Sequence, residues 1–503
     1  MATAVLMLAL VRNVLAHPPT YDELLHVLAA RGMAESGTAA IAGGVYDRAQ
    51  LYTWLVSKAR WFVSDELVAA RIPALIGAIL LVAVVTAWGS RRAGPVAGAI
   101  AGGLLAISPW TIDLAVFARF YTIHALAVFG VFTSVYGCIS ALPQRRLAGF
   151  WLLSALPMLI VAMHLQITSV ISVGAVMAGA VAGWSAGNWL TVRPWVVRYR
   201  WSLIIVAIAG LGAAFFAFQY LGYLALFLDS PVWASGSANW LNYYNRALSR
   251  DMPLFWPLLP VAAVVACVAR RQLGWVLLVT GAVALAAHSL AASKAERYLY
   301  YALPFICLLL GVAASEVGSA ALRWLAAQGE SWRRMAPMCI AGLAGLAFAA
   351  SQEGYRTARV LVGADPASVV LSYGDEPDWG QALPVLKPRL AGADVVIVSN
   401  AMKALFYLGR YDYELNVSIV AETDTRADFG IDLRTGGRAI SAPQSLRRVL
   451  AEGDALVVAE DEKLGTSAGV TQASVAFLGE QCASVELPAG TGLSAWWCPR
   501  PSR

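Results

Sequence analysis

Residues 68–88 read VAARIPALIGAILLVAVVTAW, an apolar stretch whose only charged residue is Arg71, and Arg91 and Arg92 follow shortly after it. A helix crosses the hydrocarbon layer of a bilayer with about 20 mostly apolar residues. This stretch therefore predicts a membrane-spanning helix that ends beside two basic residues.

Apolar runs of similar length recur along the chain. Ten more lie near residues 2–16, 95–113, 120–141, 148–164, 167–185, 202–226, 254–269, 273–290, 299–317 and 337–352. The chain of 503 residues is 59% hydrophobic and 14% charged, whereas soluble chains carry roughly a quarter charged residues. The composition excludes a water-soluble globular enzyme. It predicts a polytopic α-helical membrane protein with about 11 transmembrane helices over residues 1–352.

The run near residues 2–16 is short and contains Arg12 and Asn13 near its end. A secretory signal peptide is the alternative to a retained span, with Val14 and Ala16 as small residues before a cleavage site. The positively charged start of a signal peptide is missing, which favours a retained span. Both alternatives place residues 17–67, here called the first loop, on the same side of the membrane.

Basic residues are distributed unequally between alternate loops. One set of short loops holds twelve, namely Arg91, Arg92, Arg145, Arg146, Arg193, Arg198, Arg200, Arg270, Arg271, Arg323, Arg333 and Arg334, and the intervening short loops hold five, namely Arg119, Arg246, Arg250, Lys294 and Arg297. The positive-inside rule places the richer set in the cytoplasm. The first loop and the C-terminal segment are therefore predicted outside it. Because the arginines lie in short clusters between apolar runs, the net charge of +6 reflects topology and does not indicate nucleic-acid binding.

Residues 353–503 have a different composition, with charged and turn residues and shorter apolar runs. Residues 393–399 (ADVVIVS) and 455–460 (ALVVAE) resemble fully buried strands, and residues 443–451 form an amphipathic helical stretch. The alternation predicts an extracytoplasmic α/β domain with a largely parallel sheet. It contains no Gly-rich phosphate loop and no nucleophile motif, so a structural or acceptor-handling role is expected. Cys482 and Cys498 flank a turn-rich stretch and either form a disulfide, which an oxidising compartment permits, or remain free thiols.

Ionisable groups at membrane depth are costly and therefore indicate function. On the predicted extracytoplasmic side they form three groups. The first follows Pro19 as TYDELLHVL and continues to VYDRAQLYTWL, which predicts short interfacial helices. The others are FARFYTIH at residues 117–124 and KAERY at residues 294–298.

The order of these features resembles the GT-C glycosyltransferases, and within them the protein O-mannosyltransferase and aminoarabinose (lipid A) transferase group of glycosyltransferase family 39. The resemblance covers roughly residues 1–350 and rests on motifs that occur in the same order, namely Tyr21 Asp22 Glu23, Ala70 Arg71 Ile72 Pro73, Ser108 Pro109, Ala118 Arg119 and Arg297 Tyr298. The C-terminal domain is also similar in kind.

The resemblance implies a GT-C fold and transfer of a sugar from a polyprenyl phosphate, such as undecaprenyl phosphate, at the periplasmic face of a bacterial inner membrane. The family's acid in the first loop is considered the base for the acceptor, and Asp22 takes that place with Glu23 beside it. Asp47 Arg48 Ala49 resembles the family's acid, lysine and proline, with arginine for lysine and no proline. His124 replaces the acid that aminoarabinose transferases carry after the arginine, so neither that sugar nor a metal site carries over.

The expected chemistry assigns a role to each candidate residue. Asp22, with Glu23, would accept the proton of the acceptor hydroxyl. Arg48, Lys294 and Arg297 would bind the donor phosphate and the charge that develops on it. Arg119, Tyr121 and Tyr298 would contact the rest of the substrate. Attack opposite the leaving phosphate would invert the anomeric centre, an apolar groove would hold the prenyl tail, and partial loop closure would exclude water.

Each residue also has a structural alternative. Asp22 could be a helix N-cap and Glu23 a first-turn acid favoured by the helix dipole. Arg48 could pair with Asp47 at the surface, and Arg119 with Asp113. Lys294 and Arg297 could be interface anchors. His124 and His164 could join Asp22 around a divalent cation, but without ligand spacing structural hydrogen bonding is expected, and no cofactor is predicted with certainty.

Two other classes of protein compete with this interpretation. A lipid or sugar transporter, or a flippase, would show internal repeats and charges at the membrane midplane, neither of which the sequence contains. A membrane-anchored envelope assembly or binding protein would act through its outer domain. For the enzyme, the acceptor could be a lipid, a glycan or a secreted protein, and the other partners are membrane lipids.

Overall fold

The computed structural model describes residues 18–142, 144–166, 168–191, 193–194, 197–198, 240–291, 294–327, 345–346, 348–361, 376–423 and 428–500. The chain divides into two compact units. The first contains residues 74–116 and the described residues from 120 to 361, and the second contains residues 18–73, 117–119 and the described residues from 376 to 500. The predicted domain boundary after residue 352 stays a prediction.

The first loop folds into two helices separated by a hairpin, namely α1 (Tyr21–Ser36), β1 (Ala40–Ile41), β2 (Gly44–Val45) and α2 (Gln50–Ala59). Helix α1 starts with a capping box, in which the Thr20 hydroxyl accepts from Glu23 N and the Glu23 carboxylate accepts from Thr20 N. It ends at Gly37, whose φ of 76° is left-handed. The N-cap is therefore Thr20, and Asp22 lies in the first turn, which corrects the alternative of Asp22 as the cap.

The next six helices include the apolar runs that begin near residues 68, 95, 120, 148 and 167. They are α3 (Glu66–Ala93), α4 (Pro95–Ile107), α5 (Pro109–Ala115), α6 (Tyr121–Ser140), α7 (Arg145–Leu165) and α8 (Ser169–Gly187). Helices α4 and α5 meet at an angle of 61°. Pro109 has no N–H to continue the ladder of α4, which explains a break at this position.

A second series of helices follows, namely α9 (Trp240–Asp251), α10 (Leu259–Ala269), α11 (Arg271–Leu290), α12 (Glu296–Leu299), α13 (Leu303–Ala326) and α14 (Gln352–Leu361). Helix α9 and the segment Trp256–Ala269 are bent by 115° relative to each other. Helices α8 and α11 pack closely because Gly179 and Gly183 leave room for Thr280 and Val276, where a Cβ would overlap these side chains.

Six helices of the described residues are long and apolar enough to cross a membrane, or up to eight if each bent pair is one span. They coincide with the predicted runs that begin near residues 68, 95, 120, 148, 167, 254, 273 and 299. The runs near 2–16 and 202–226 lie outside the described residues, as does most of the run near 337–352. Helix α7 exposes Phe150, Leu153 and Ile160, as expected for contact with lipid tails. The chain is a polytopic α-helical membrane protein, while the count of eleven stays a prediction.

The C-terminal domain contains a seven-stranded sheet flanked by helices. Its elements are α15 (Trp379–Gly392), β3 (Val395–Val398), α16 (Ala401–Tyr407), β4 (Tyr413–Leu415), α17 (Val417–Thr423), β5 (Phe429–Ile431), β6 (Arg438–Ile440), α18 (Pro443–Leu450), β7 (Ala455–Glu460), α19 (Gln472–Gln481), β8 (Ala483–Val485) and β9 (Leu493–Cys498). The strand order is β5-β6-β4-β3-β7-β9-β8.

The sheet confirms the predicted α/β architecture but is mixed, so the prediction of a largely parallel sheet is wrong. The four central strands are parallel, with Val395 opposite Ala455 where β3 meets β7. The outer pairs β5–β6, β7–β9 and β8–β9 are antiparallel. The central strands are separated by helices, whereas a turn joins β5 to β6 and a loop joins β8 to β9, and such short connections produce antiparallel pairs.

A disulfide joins Cys482, just before β8, to Cys498 at the end of β9. It confirms the bridged alternative and ties the edge of the sheet to its neighbouring strand. Both sulfurs lie against the apolar cluster that includes Leu446, Val457 and Leu478. The bridge is therefore part of the core on one face of the sheet.

Candidate functional site

Glu23 is a fully buried carboxylate in the first turn of α1. Its Oε1 accepts hydrogen bonds from Arg71 Nε at 2.8 Å and Ala118 N at 2.9 Å, and its Oε2 accepts from Arg71 Nη2 and Thr20 N, both at 3.0 Å. A carboxylate offers about four lone-pair positions. These four bonds therefore occupy Glu23 and connect α1 to the start of α3 and to the 117–119 turn.

Arg71, the partner of Glu23, lies one turn into α3 and is also fully buried. Arg71 belongs to the motif Ala70 Arg71 Ile72 Pro73, but the sequence alone did not indicate a role for it in the site. The signal was present, because an arginine inside an otherwise apolar predicted span needs a partner. Removing one member of such a pair leaves an uncompensated buried charge.

Arg119 lies beside Asp22 in the same unit. Its Nη1 donates to the carbonyl oxygen of Asp22 at 3.1 Å and to the hydroxyl of Tyr46 at 3.2 Å. The Asp22 side chain is half-buried in the first turn of α1, whereas the neighbouring Glu23 is fully enclosed. The structure thus brings Asp22, Glu23 and Arg119 together.

His26 lies one turn further along α1 and was not singled out from the sequence. Its Nδ1 is 2.9 Å from the hydroxyl of Thr53, and its ring makes edge contacts with Tyr46 and Tyr52. Burial, and secondarily the charge of Arg119, lowers the pKa of His26 well below its ordinary value. The neutral imidazole is therefore favoured, and it joins α1 to α2.

Arg48 lies on the exposed surface just before α2. The next residue, Ala49, has a φ of 48° and a ψ of 45°. This left-handed conformation is unfavourable for a residue with a Cβ, and such strain often occurs at functional positions.

A second group of predicted residues lies in the other unit, before and within α12. Lys294 is 8% exposed and its Nζ donates to the carbonyl of Ala291 at 2.7 Å. Burial lowers its pKa. The Arg297 guanidinium lies 5.5 Å from the ring of Tyr298, which makes an edge contact with Tyr121 at 6.3 Å.

Helix α9 supports this second group through residues that the sequence did not reveal. Arg250 binds Asp251 through two nitrogens, at 2.7 and 2.8 Å, and Glu296 at 3.2 Å. The buried Asp251 also accepts from Trp110 Nε1 at 2.7 Å. Tyr243 donates to Glu296 at 3.0 Å. These contacts fix the start of α12, which carries Arg297.

The two candidate metal ligands occupy different environments. His124 is buried with its Nε2 at 2.8 Å from the Ser169 hydroxyl, and His164 is exposed near the end of α7. Across the described ranges no three His, Cys, Asp or Glu side chains come together in a way that could hold a metal ion. The hydrogen bond of His124 fits the structural alternative.

Each of the two units thus contains charged side chains that could take part in a reaction. In the second unit, Arg119 binds the backbone carbonyl of Asp22, whose side chain is half-buried, and the exposed Arg48 belongs to the same unit. In the first, the Arg297 guanidinium lies beside the ring of Tyr298, and the buried Lys294 precedes the same short helix. A carboxylate can accept a proton, and fixed cations can stabilise a phosphate.

No family model and no curated protein matches this chain. Solved structures do match. ArnT from Cupriavidus metallidurans bound to undecaprenyl phosphate matches 99% of this chain and 97% of its own at 14% identity, with a TM-score of 0.62. The same protein in the apo state gives a TM-score of 0.60 at 14% identity over 99% of this chain and 96% of its own.

A second protein with a similar structure is the archaeal oligosaccharyltransferase AglB from Archaeoglobus fulgidus, in complex with an inhibitory peptide and a dolichol-phosphate. It matches 91% of this chain and 69% of its own at 12% identity, with a TM-score of 0.57. Similarity of this extent shows the fold. The chain has the GT-C fold that the sequence resemblance implied.

Proposed function

We propose that this protein is a membrane glycosyltransferase that moves a sugar from a polyprenyl-phosphate donor to an acceptor hydroxyl. The observation that supports this most strongly is the similarity in fold, over 99% of the chain, to a protein whose structure contains undecaprenyl phosphate. AglB, which has the same fold, was solved with dolichol-phosphate. Lipid phosphate is thus common to both.

Asp22 is the proposed general base. Its carboxylate is half-buried, its helix is capped by Thr20, and its backbone carbonyl is fixed by Arg119. Glu23, predicted as a second catalytic acid, has its four acceptor positions occupied by hydrogen bonds, which favours a positioning role for it. Asp22 is therefore proposed to accept the proton, and Glu23 is proposed to position the first turn of α1.

The donor phosphate is proposed to interact with Arg48, Lys294 and Arg297. Arginine presents a fork of donors that fits phosphate oxygens, and lysine supplies a compact charge. Burial removes water from the Lys294 ammonium and lowers its pKa. A bound anion would therefore stabilise the charged form of Lys294. Arg119, Tyr121 and Tyr298 are proposed to contact the remainder of the substrate.

The proposed reaction is a single displacement. The acceptor oxygen attacks the anomeric carbon from the face opposite the phosphate, its proton passes to Asp22, and the bond between the anomeric carbon and the phosphate oxygen breaks. The products are an inverted glycoside and a prenyl phosphate, whose charge the cations stabilise. No other reactant is needed.

The proposed location is the inner membrane of a bacterium, with the first loop and the C-terminal domain in the periplasm. The distribution of basic residues supports this orientation. The Cys482–Cys498 disulfide also supports it, since such bridges persist outside the reducing cytoplasm.

The test is transfer of a radiolabelled sugar from defined polyprenyl-phosphate donors in membranes that contain the protein. The expected result is label in an acceptor fraction with release of prenyl phosphate. Donor that stays intact while moving between leaflets would instead favour a flippase.

The phosphate role is tested in the same assay with Arg297→Ala and Arg48→Ala. Both should raise the donor KM, while Arg270→Ala, which removes an exposed partner of Glu316, should not. Equal KM values in all variants would contradict the phosphate assignment.

A further inference from the structure

The hairpin of the first loop lies against a turn of the C-terminal domain within the same compact unit. Gly43 N donates to the carbonyl oxygen of Thr435 at 2.7 Å. A Cβ on Gly44 would lie 2.5 Å from the carbonyl oxygen of Arg434, and a Cβ on Gly436 would lie 2.6 Å from the carbonyl carbon of Gly43. Glycines thus permit a backbone-to-backbone approach that side chains would prevent.

A cation from the same turn lies close to Tyr21, the residue that precedes Asp22. The Arg434 guanidinium lies 5.8 Å from the ring of Tyr21. Asp432, which is almost completely buried, holds Arg434 through hydrogen bonds to its backbone N at 3.0 Å and to its Nε at 2.9 Å. Asp432, a residue of the same domain, therefore fixes the guanidinium that contacts the first loop.

Helix α16 of the C-terminal domain provides a further contact by packing against α1. Its Tyr407 lies close enough to Glu23 and Arg71 for both charges to act on its phenol. The C-terminal domain therefore contacts α1 through a helix and, at the Tyr21 end, through a fixed arginine.

We propose that the C-terminal domain positions Asp22 for proton transfer, with Arg434 as the positioning residue that acts through Tyr21. The inference rests on the proposed function, because it assigns this domain a part in the same reaction. Three arginines hold successive residues of the first turn of α1, namely Arg434 at Tyr21, Arg119 at the carbonyl of Asp22 and Arg71 at Glu23. A base must be held within a fraction of an ångström of its working position.

The test compares two pairs of variants of the full-length protein. Arg434→Ala removes the cation over Tyr21, and Arg438→Ala is its control, because Arg438 also lies 5.8 Å from a tyrosine ring, that of Tyr413 on strand β4. Gly436→Ala adds a Cβ against Gly43 at a φ of 66°. Gly409→Ala is its control, because Gly409 has a φ of 81° and open space where its Cβ would lie.

Two measurements are made on each variant, namely the transfer kinetics and the hydrogen exchange of the amides in residues 18–36. Arg434→Ala and Gly436→Ala should lower kcat roughly ten- to a hundredfold, leave the donor KM within about twofold because the proposed phosphate cations are intact, and accelerate amide exchange. Arg434→Lys should recover part of kcat, since it restores a cation over the ring. The two controls should resemble the wild type.

Normal kcat in Arg434→Ala, together with lost transfer in Asp22→Asn, would overturn this inference and leave the proposed function standing. Equal effects in test and control variants would also overturn it. Normal transfer in Asp22→Asn would instead refute the proposed base, and this inference with it.

Discussion

Two adjacent acids, Asp22 and Glu23, have different surroundings, and we propose different roles for them on that basis. The sequence predicted both as site residues, but it could not reveal that Arg71 and the backbone of Ala118 would enclose Glu23. Those partners lie 48 and 95 residues away, and residue type alone does not encode such distances. The motifs therefore predicted residues that lie close together in the fold, but not which contacts each carboxylate makes.

The buried pair should dominate stability, whereas Asp22 should not. Arg71→Ala leaves the Glu23 carboxylate buried without its counter-ion, so it should lower the free energy of unfolding by about 3–5 kcal/mol. Asp22→Asn should cost less than about 1 kcal/mol, since asparagine keeps the size of the half-buried side chain and an oxygen that accepts hydrogen bonds, and loses the charge that the helix dipole favours. Thermal unfolding of the detergent-solubilised protein measures both.

Arg31→Ala is the matched control for Arg71→Ala. Arg31 pairs with Glu66, but both side chains are partly exposed, 31% and 23%, so its loss should cost about 1 kcal/mol or less. Similar destabilisation by Arg31→Ala and Arg71→Ala would contradict the special role of the buried pair.

Glu414 is the middle residue of strand β4 in the C-terminal domain, and its pKa predicts that stability depends on pH. Burial raises its pKa from 4.5 to about 7. Because the folded-state pKa is the higher one, the stabilisation from the protonated carboxyl is complete below the unfolded pKa and is lost as the pH rises through about 7. Glu414→Gln, which keeps a partner for Asn416, should therefore be more stable than the wild type at about pH 8, by on the order of 3 kcal/mol.

The stabilities of Glu414→Gln and the wild type should converge below about pH 4, where the carboxyl is protonated in both the folded and the unfolded state. The exposed Glu452 provides a control in the same domain, because Glu452→Gln should not change the pH dependence. A constant difference between Glu414→Gln and the wild type at all pH values would show that Glu414 does not titrate in this way.

At the scale of elements, hydropathy located the helices but not their bends. Residues 95–113 were predicted as a single span, yet the structure has α4 and α5 at 61° within it, and the bend of 115° lies between α9 and the segment that matches the predicted run 254–269. An apolar run has the same composition whether it is straight or broken. Pro109 was the local signal for the first bend, because proline removes a helical donor.

The strands of the C-terminal domain were predictable where both faces are buried, as in β3 and β7, and not at the edges. Strands β5 and β8 have only three residues each and partly exposed side chains. Such segments carry little hydrophobic pattern. The antiparallel edges were consequently missed.

The disulfide at the β8–β9 edge should stabilise the C-terminal domain. It closes a separation of 16 residues, so the variant with Cys482→Ser and Cys498→Ser should lose about 3 kcal/mol. A reductant should lower the melting temperature of the wild type and leave that of the double variant unchanged. A reductant effect of equal size in both proteins would exclude the bridge as its cause.

At the scale of the whole molecule, the distribution of basic residues predicts which surfaces face outward. The Ser64→Cys and Gln144→Cys variants place thiols at exposed positions of opposite predicted sidedness. A membrane-impermeant maleimide applied to intact spheroplasts should label position 64, and it should label position 144 only after lysis. The reverse labelling pattern would show that the protein has the opposite orientation in the membrane.

The central claim is that Asp22 is the base of a sugar transfer from a polyprenyl phosphate, and the most direct measurement is the transfer rate of Asp22→Asn under saturating donor. The rate should fall roughly 10²- to 10⁴-fold, while Asp65→Asn, which keeps a cap for Val68 N in the same loop, should retain the wild-type rate. Transfer by Asp22→Asn at the wild-type rate would contradict the claim.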